Sequence, residues 1–273
     1  MNSRNSQATK QQSSAVNLAL PSPLFINFST GGKGGVGKSF FVRLLYQYYL
    51  DQGFPVEGFE GDVRTPDFAG IYQEIRKAGN GIHFSEDENQ ATAPNMILNT
   101  VIKRKVNAVV NLPAAVDLAF EKWLEVSPVL DLSQANGIQL VKWFVVTGEY
   151  DSAQCLHVSL KLFGHLIPHV IVKNRKLKDW SYFDSDQDTQ ALIREHNCKV
   201  IDLPSLNVLI AGTILRKRLR YDEALSYQGE NYEVTEQSTV RSLLRSTYQA
   251  IESTGFVPNS NVVISGSGNG KSN

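Results

Sequence analysis

Sulfur and surplus charge are what this chain has least of. Among 273 residues there are only two cysteines, Cys155 and Cys198, far apart and outside any C-x-x-C or zinc spacing. A disulfide framework and a cysteine-held metal are thereby excluded as organising features, and a reduced, cytoplasmic compartment is expected. Lysine plus arginine equals aspartate plus glutamate, at 27 each. A uniformly basic coat for nucleic acid is excluded, though a local patch is not. No apolar run reaches the roughly 18 residues of a membrane span. Residues 1–23 are polar, rich in Ser, Asn and Gln, and lack the apolar centre of a secretory signal. They are expected to form a flexible lead-in. Residues 258–273 are dominated by Ser, Gly and Asn, so a flexible polar tail is expected there, without a membrane-seeking amphipathic helix.

What remains, residues 24–257, has the make-up of one globular domain. The chain is 42% hydrophobic and 20% charged, with no linker-like stretch in its middle and no internal repeat. Its most informative stretch is Gly31-Gly32-Lys33-Gly34-Gly35-Val36-Gly37-Lys38-Ser39, which fits the phosphate-loop pattern G-x-x-x-x-G-K-[ST]. Glycines let successive N–H groups turn inward on phosphate oxygens. Lys38 supplies a point charge for the β and γ phosphates, and the Ser39 hydroxyl is a hard ligand for Mg²⁺. Upstream, 24–28 reads as a buried strand. Downstream, 39–50 is apolar at helical spacing and stops at Gly53. Strand, glycine loop and helix is the context the motif requires, and the helix aims its positive end at the same anion.

Further strands are expected at 55–60, 107–115, 138–146, 169–174 and 199–203. Helices are expected at 67–77, 93–104, 116–126, 152–163, up to 196, and 235–253. Strands that alternate with helices imply an α/β fold, with a twisted, mostly parallel sheet and helices on both faces. Pro128 is expected to end a helix, and residues 180–184 read as a loop. Trp143, inside a nine-residue apolar run, reads as core rather than as a base-stacking residue. His157 and His165 have no metal-ligand company, and both cysteines read as buried core thiols. Asp62 stands just past the second strand, on the edge where open α/β sheets bind ligands. It could hold a water of the Mg²⁺ shell or orient an attacking water, or it could cap a local turn. The densest basic run is Arg216-Lys217-Arg218-Leu219-Arg220. On one helix Arg216 and Arg220 would share a face, as a phosphate-binding patch for DNA or as a solvated surface beside Asp222 and Glu223.

The form K-G-G-x-G-K-[ST], with Lys33 five residues before Lys38, resembles the ParA/MinD family of dimeric ATPases with a deviant phosphate loop. That resemblance implies a nucleotide contact set of Gly32, Lys33, Gly34, Gly35, Val36, Gly37, Lys38, Ser39 and Phe40. It implies catalytic roles for Lys33, Lys38 and Asp62, with Lys33 crossing a homodimer interface to the partner's nucleotide. Otherwise Lys33 is a second phosphate contact within its own chain, or a solvated lysine. Asp62 matches the second acid of the family's acid-x-acid segment. Asn111 stands where the family usually has Asp, so Ser39, Asp62 and Asn111 form the implied Mg²⁺ set, with one charge missing. An amide oxygen still accepts from a metal-bound water. Leu112-Pro113-Ala114 is similar to the plasmid mobilisation and stability members. Asn174 matches the residue that reads adenine, and Pro204 matches a proline that walls the same pocket; both could equally be turn residues. The guanine-reading N-K-x-D is absent, which favours ATP. The sparse cysteines weigh against the iron–sulfur branch. The implied function is an ATP-hydrolysing dimerisation switch in plasmid or DNA partition, mobilisation or cargo positioning, with a protein activator or cargo adaptor and non-specific DNA as partners, and no membrane. A nucleotide-gated regulatory protein with little turnover is the alternative that Asn111 motivates.

Overall fold

The computed structural model describes residues 23–258. The segments expected to be flexible, 1–23 and 258–273, lie outside the described residues except for Pro23 and Pro258. In chain order the elements are β1 (Leu24–Thr30), α1 (Lys38–Asp51), β2 (Val56–Glu60), α2 (Asp67–Ile71), α3 (Gln73–Lys77) and α4 (Asn95–Arg104). Then come β3 (Asn107–Asn111), α5 (Asp117–Val126), α6 (Val129–Ala135), β4 (Ile138–Val146), α7 (Tyr150–Phe163) and β5 (His169–Asn174). The last elements are α8 (Ser181–Ser185), α9 (Gln187–Glu195), β6 (Lys199–Leu203), α10 (Val208–Lys217), α11 (Tyr221–Ala224) and α12 (Val234–Ser253).

All six strands are parallel, in the order β2-β3-β1-β4-β5-β6. A parallel sheet must be covered on both faces, which is why its central strands read as unbroken apolar runs. One face is covered by α1, α2, α3, α10, α11 and α12, with Phe41, Tyr49, Trp143 and Leu244 in its core. The other carries α4 to α9, with Phe28, Phe120 and Trp123 on the β1–β3 side and Phe144 and Ile171 nearer β5. The chain lays down β2 and β3 on one side of β1 and then crosses to β4 on the other. That reversal makes the carboxyl end of β1 the place where an open sheet leaves a crevice.

The first helix is pinned to this place by a buried polar chain. Trp143 Nε1 donates to Asn27 Oδ1 at 2.8 Å, and Asn27 Nδ2 donates to the Tyr49 hydroxyl at 2.8 Å. All three residues are fully buried, so losing one partner strands another donor or acceptor at about 1–3 kcal/mol. Trp143 is therefore core, stacked near Phe41 at 5.5 Å.

Within 107–115 the strand ends at Asn111, the position matched to the family's strand-end acid, and its carbonyl accepts from the Gly61 N–H. Pro128 follows the end of α5, as expected, and is also the N-cap of α6. Two sequence expectations need correction. Residues 181–185 form a short helix rather than a loop, since Phe183 and Trp180 bury against α7. Both cysteines are only partly buried.

Candidate phosphate site

The loop between β1 and α1 is shaped by close approach. Gly37 takes a left-handed conformation, φ 106°, at the N-cap of α1. A Cβ there would lie 2.5 Å from Asn174 Nδ2. At Gly32 a Cβ would fall 1.9 Å from Cys155 Cβ, on α7. Gly34 and Gly35, by contrast, face open space with nothing within 4 Å. The loop is thus clamped from behind and bare in front, which is what inward-turned N–H groups need in order to meet an anion.

Lys38 opens α1 and is buried, 6% exposed. Among the described residues no carboxylate lies within ion-pair distance of its ammonium. Burial lowers its pKa, and the field of Asp62 partly offsets this. A mostly buried lysine without a paired acid is a place where an anion is favoured. Lys33 is different. Its side chain is 37% exposed, with Nζ 3.0 Å from Glu149 Oε2 and 3.7 Å from Asp151 Oδ2. The hydrogen bond to Glu149 raises its pKa. In this structure Lys33 is held by acids of its own chain, in the loop that follows β4 and the first turn of α7.

The other side of the loop holds a residue that the sequence reading passed over. Glu60 ends β2, is 4% exposed, and stands opposite Asn111 in the β2–β3 register. Its Oε1 accepts from Asn111 Nδ2 at 2.7 Å and from the Asp62 N–H at 3.0 Å, and its Oε2 accepts from the Ala69 N–H at 3.2 Å. Burial pushes this carboxyl up to about 7, against the pull of the Asn111 donor. Asn111 is fully buried, and its Oδ1 has no hydrogen-bond partner. It lies beside Ser29 on β1, whose hydroxyl donates to the Lys38 carbonyl at 3.3 Å. Glu60 was readable as the first acid of acid-x-acid, but only its burial and its contact with Asn111 single it out.

Asp62 makes a local turn. Its Oδ1 accepts from the Arg64 and Thr65 N–H groups, each at 3.2 Å, and its Oδ2 from the Thr65 hydroxyl at 3.1 Å. The capping alternative therefore describes its contacts, although it caps this turn and not α2, whose N-cap is Pro66. No group of three or more His, Cys, Asp or Glu suited to a metal forms among the described residues. The hard oxygens present, Ser39, Glu60, Asp62 and the orphan Asn111 Oδ1, fit a Mg²⁺ that keeps its waters and leans on phosphate. They do not fit a bare ion in a protein cage.

On the β5 side a cavity of about 200 Å³ opens beside Gly35 and Gly37. Phe40, Leu206, Ala211, Ile214, Leu215 and Tyr221 make it apolar, and Arg43, Asn174 and Lys176 add polar groups. Its shape suits a flat ring beyond the phosphates. Asn174 Nδ2 donates to the Val36 carbonyl at 2.8 Å, and its Oδ1 accepts from the Lys176 N–H at 3.1 Å. Its amide thus braces the phosphate loop, and the residue also lines the cavity, with a second N–H to offer. One expectation is revised here. Pro204 is partly buried but does not line the cavity; Ser205 and Leu206 do.

The basic run is also revised. Arg216 and Lys217 close α10, Arg218 is its left-handed C-cap (φ 53°), and Arg220 is the N-cap of α11. Arg216 and Arg220 therefore share no helix face. Arg220 bonds Asp222, reaches Glu74 at 3.7 Å and lies over the Tyr72 ring at 5.4 Å. Its charge is spent within the fold.

No family model and no curated protein matches the chain. Among solved structures, it is similar to the septum site-determining protein MinD of Pyrococcus horikoshii in complex with Mg-ADP, at 14% identity over 80% of this chain and 93% of that one, TM-score 0.46. A plasmid partition protein of Borrelia burgdorferi bound to AMPPNP matches at 16% identity over 82% and 99%, TM-score 0.39. Chloroplast FtsY of Physcomitrella patens matches at 13% over 70% and 61%, TM-score 0.43. At these identities and TM-scores below 0.5, the likenesses assign neither family nor function.

Proposed function

We propose that the chain is a nucleotide-driven dimerisation switch of the ParA/MinD type, which binds Mg-ATP and acts in partition, mobilisation or positioning of a cargo. One observation carries this reading. A loop with the phosphate motif is tightly braced behind and open in front, and it presents a mostly buried lysine, Lys38, that has no acid within ion-pair distance among the described residues. An anion is the missing partner, and the amino end of α1 favours one.

The residues divide the work. The amides of Gly34, Gly35 and Gly37 surround phosphate oxygens, and Lys38 balances the charge that grows on the γ-phosphate. The Ser39 hydroxyl and the Asn111 Oδ1 would hold Mg²⁺ or its waters. Held there, Mg²⁺ would supply neutralisation of charge on the triphosphate. The apolar cavity of Phe40 and Leu206 receives the base. Asp62, whose field already reaches Lys38, would orient water.

Dimer formation is supported by the same edge of the sheet. Val63 after β2, Leu118 in the first turn of α5 and Tyr150 at the start of α7 are 68%, 60% and 58% exposed. They flank the loop, and a second copy facing it would cover them. Lys33 must leave Glu149 and Asp151 to reach that copy's nucleotide. The exchange is cheap, because water screens such exposed pairs. Non-specific DNA and a protein activator are the partners that this class of switch would use. Arg216, Lys217 and Arg218 are the remaining candidates for phosphate contact.

A second reading, a nucleotide-gated regulator with little turnover, is favoured by one specific observation: both Asp62 oxygens are engaged in a turn. Steady-state ATP hydrolysis, with sedimentation in the presence and absence of Mg-ATP, separates the two. Hydrolysis and ATP-dependent dimers support the switch, and dimers without hydrolysis support the regulator. If neither ATP binding nor dimerisation occurs, both fail.

A further inference from the structure

We propose that Glu60 is a positioning residue of this phosphate site: it orients the Asn111 amide so that the unpartnered Oδ1 is the acceptor left for a metal-bound water. This rests on the nucleotide reading given above and adds a residue to it.

Three observations converge. Glu60 and Asn111 are register partners at the carboxyl ends of neighbouring strands, joined by a 2.7 Å bond in which the amide can only donate. An Asn has one donor end and one acceptor end, so fixing Nδ2 on Glu60 fixes Oδ1 on the opposite side. That Oδ1 is buried and unpartnered, in a residue with no exposure at all. A buried acceptor without a donor is rare in a finished core, and it marks a place where a water or a ligand belongs. Third, the pair is tied to the loop. Leu112 N–H donates to the Ser29 carbonyl at 3.0 Å, and Ser29 Oγ reaches the Lys38 carbonyl.

The arrangement also explains why residue 111 is an amide. A carboxylate there would set an acceptor 2.7 Å from a Glu60 oxygen, where the amide sets a donor. The carboxyl therefore stands on β2 and the amide acceptor on β3. Glu60 is further held by the Asp62 and Ala69 N–H groups, so the start of the loop after β2 and the first turn of α2 share its carboxylate. Glu60 acts through Asn111, and no contact of Glu60 with the nucleotide is required.

The test is a charge swap with two readouts. Glu60→Gln, Asn111→Asp and the double variant are compared with the parent. The first readout is thermal unfolding without metal or nucleotide. The second is the Mg²⁺ concentration that gives half-maximal binding of a fluorescent ATP analogue. Glu60→Gln is expected to raise that concentration about tenfold, the size of one charge-assisted hydrogen bond. Asn111→Asp is expected to lower the melting temperature of the empty protein by crowding two carboxylates. The double variant moves the charge to β3 with a Gln donor on β2. It is expected to recover both the melting temperature and the Mg²⁺ dependence to within about threefold. A merely structural Glu60 would lower melting and leave the Mg²⁺ midpoint unchanged. That outcome, or a double variant no better than the worse single, overturns the proposal. If Glu60→Gln does not fold, the double variant alone decides. If the parent binds no Mg-nucleotide while the melting temperatures still show the swap, the nucleotide reading has failed and the metal role of Glu60 falls with it. If the parent binds and the swap shows no coupling, Glu60 alone is refuted.

Discussion

The two ends of the phosphate loop are built on opposite principles. At the Lys38 end the side chain is mostly buried, the backbone is braced by Asn174 and Ser29, and Asp62 acts on the charge through its field without an ion pair. At the Lys33 end the ammonium is part-exposed and sits between two exposed acids. A buried, unpaired charge holds its position and waits for an anion. An exposed pair in water can be exchanged for another partner with little loss. The contrast separates a fixed grip from a movable contact within seven residues.

The sharpest way to break that contrast is Lys38→Met. ATP affinity is expected to fall at least about 100-fold, by roughly 3 kcal/mol. The empty protein, measured by urea denaturation, is expected to be no less stable, because a partly desolvated charge is removed. If ATP affinity survives or the empty fold weakens, the buried end is not a waiting anion site. Next in size is a buried group elsewhere on the sheet. His169 on β5 is 2% exposed, and burial holds it at about 3, well below the ordinary histidine range. A group whose folded pKa is depressed contributes stability above its unfolded pKa and loses it on the way down. Stability is therefore expected to drop by about 2 kcal/mol as pH falls from about 7 to about 5, the unfolded chain alone taking the proton. His169→Gln should flatten this part of the denaturation profile, whereas an unchanged acid slope would assign it to other groups.

Smaller effects are expected at the Lys33 end. Lys33→Ala should leave ATP affinity of the monomer within about threefold and weaken ATP-dependent dimerisation about tenfold, by about 1.4 kcal/mol, in sedimentation velocity. Equal losses in both would make Lys33 a contact of its own chain's nucleotide. The smallest effect belongs to Glu149→Gln. It should leave the melting temperature nearly unchanged and modestly strengthen ATP-dependent dimers at low salt, by freeing Lys33 for the exchange. Weaker dimers would mean that Glu149 works across the interface.

The same contrast sets how much was legible in the sequence. The phosphate loop, its flanking strand and helix, and the buried parallel strands were readable, because each is a local pattern with one physical solution. The position of Trp143 in the core followed from its apolar run. What escaped was decided by contacts between distant residues. Glu60 looked like the last residue of a strand, and only its pairing with Asn111, 51 residues on, gives it a role. Asn174 read as a base contact or a turn residue, and its brace on the Val36 carbonyl, 138 residues back, was not visible. The run at 216–220 looked like one helix face, because nothing local announces that Arg218 turns left-handed. Pro204 matched a position in a pattern, while the wall of the cavity fell to the two residues after it. Short helices such as α6 and α8 form because Val129, Trp180 and Phe183 find buried neighbours, and such tertiary packing leaves little periodic trace.

The most direct measurement is an isothermal titration of Mg-ATP into the full chain and into Lys38→Met. The expected result is one ATP bound per chain in the parent and no measurable binding in the variant. Absence of binding in the parent, or equal affinity in both, would contradict a triphosphate held by this loop.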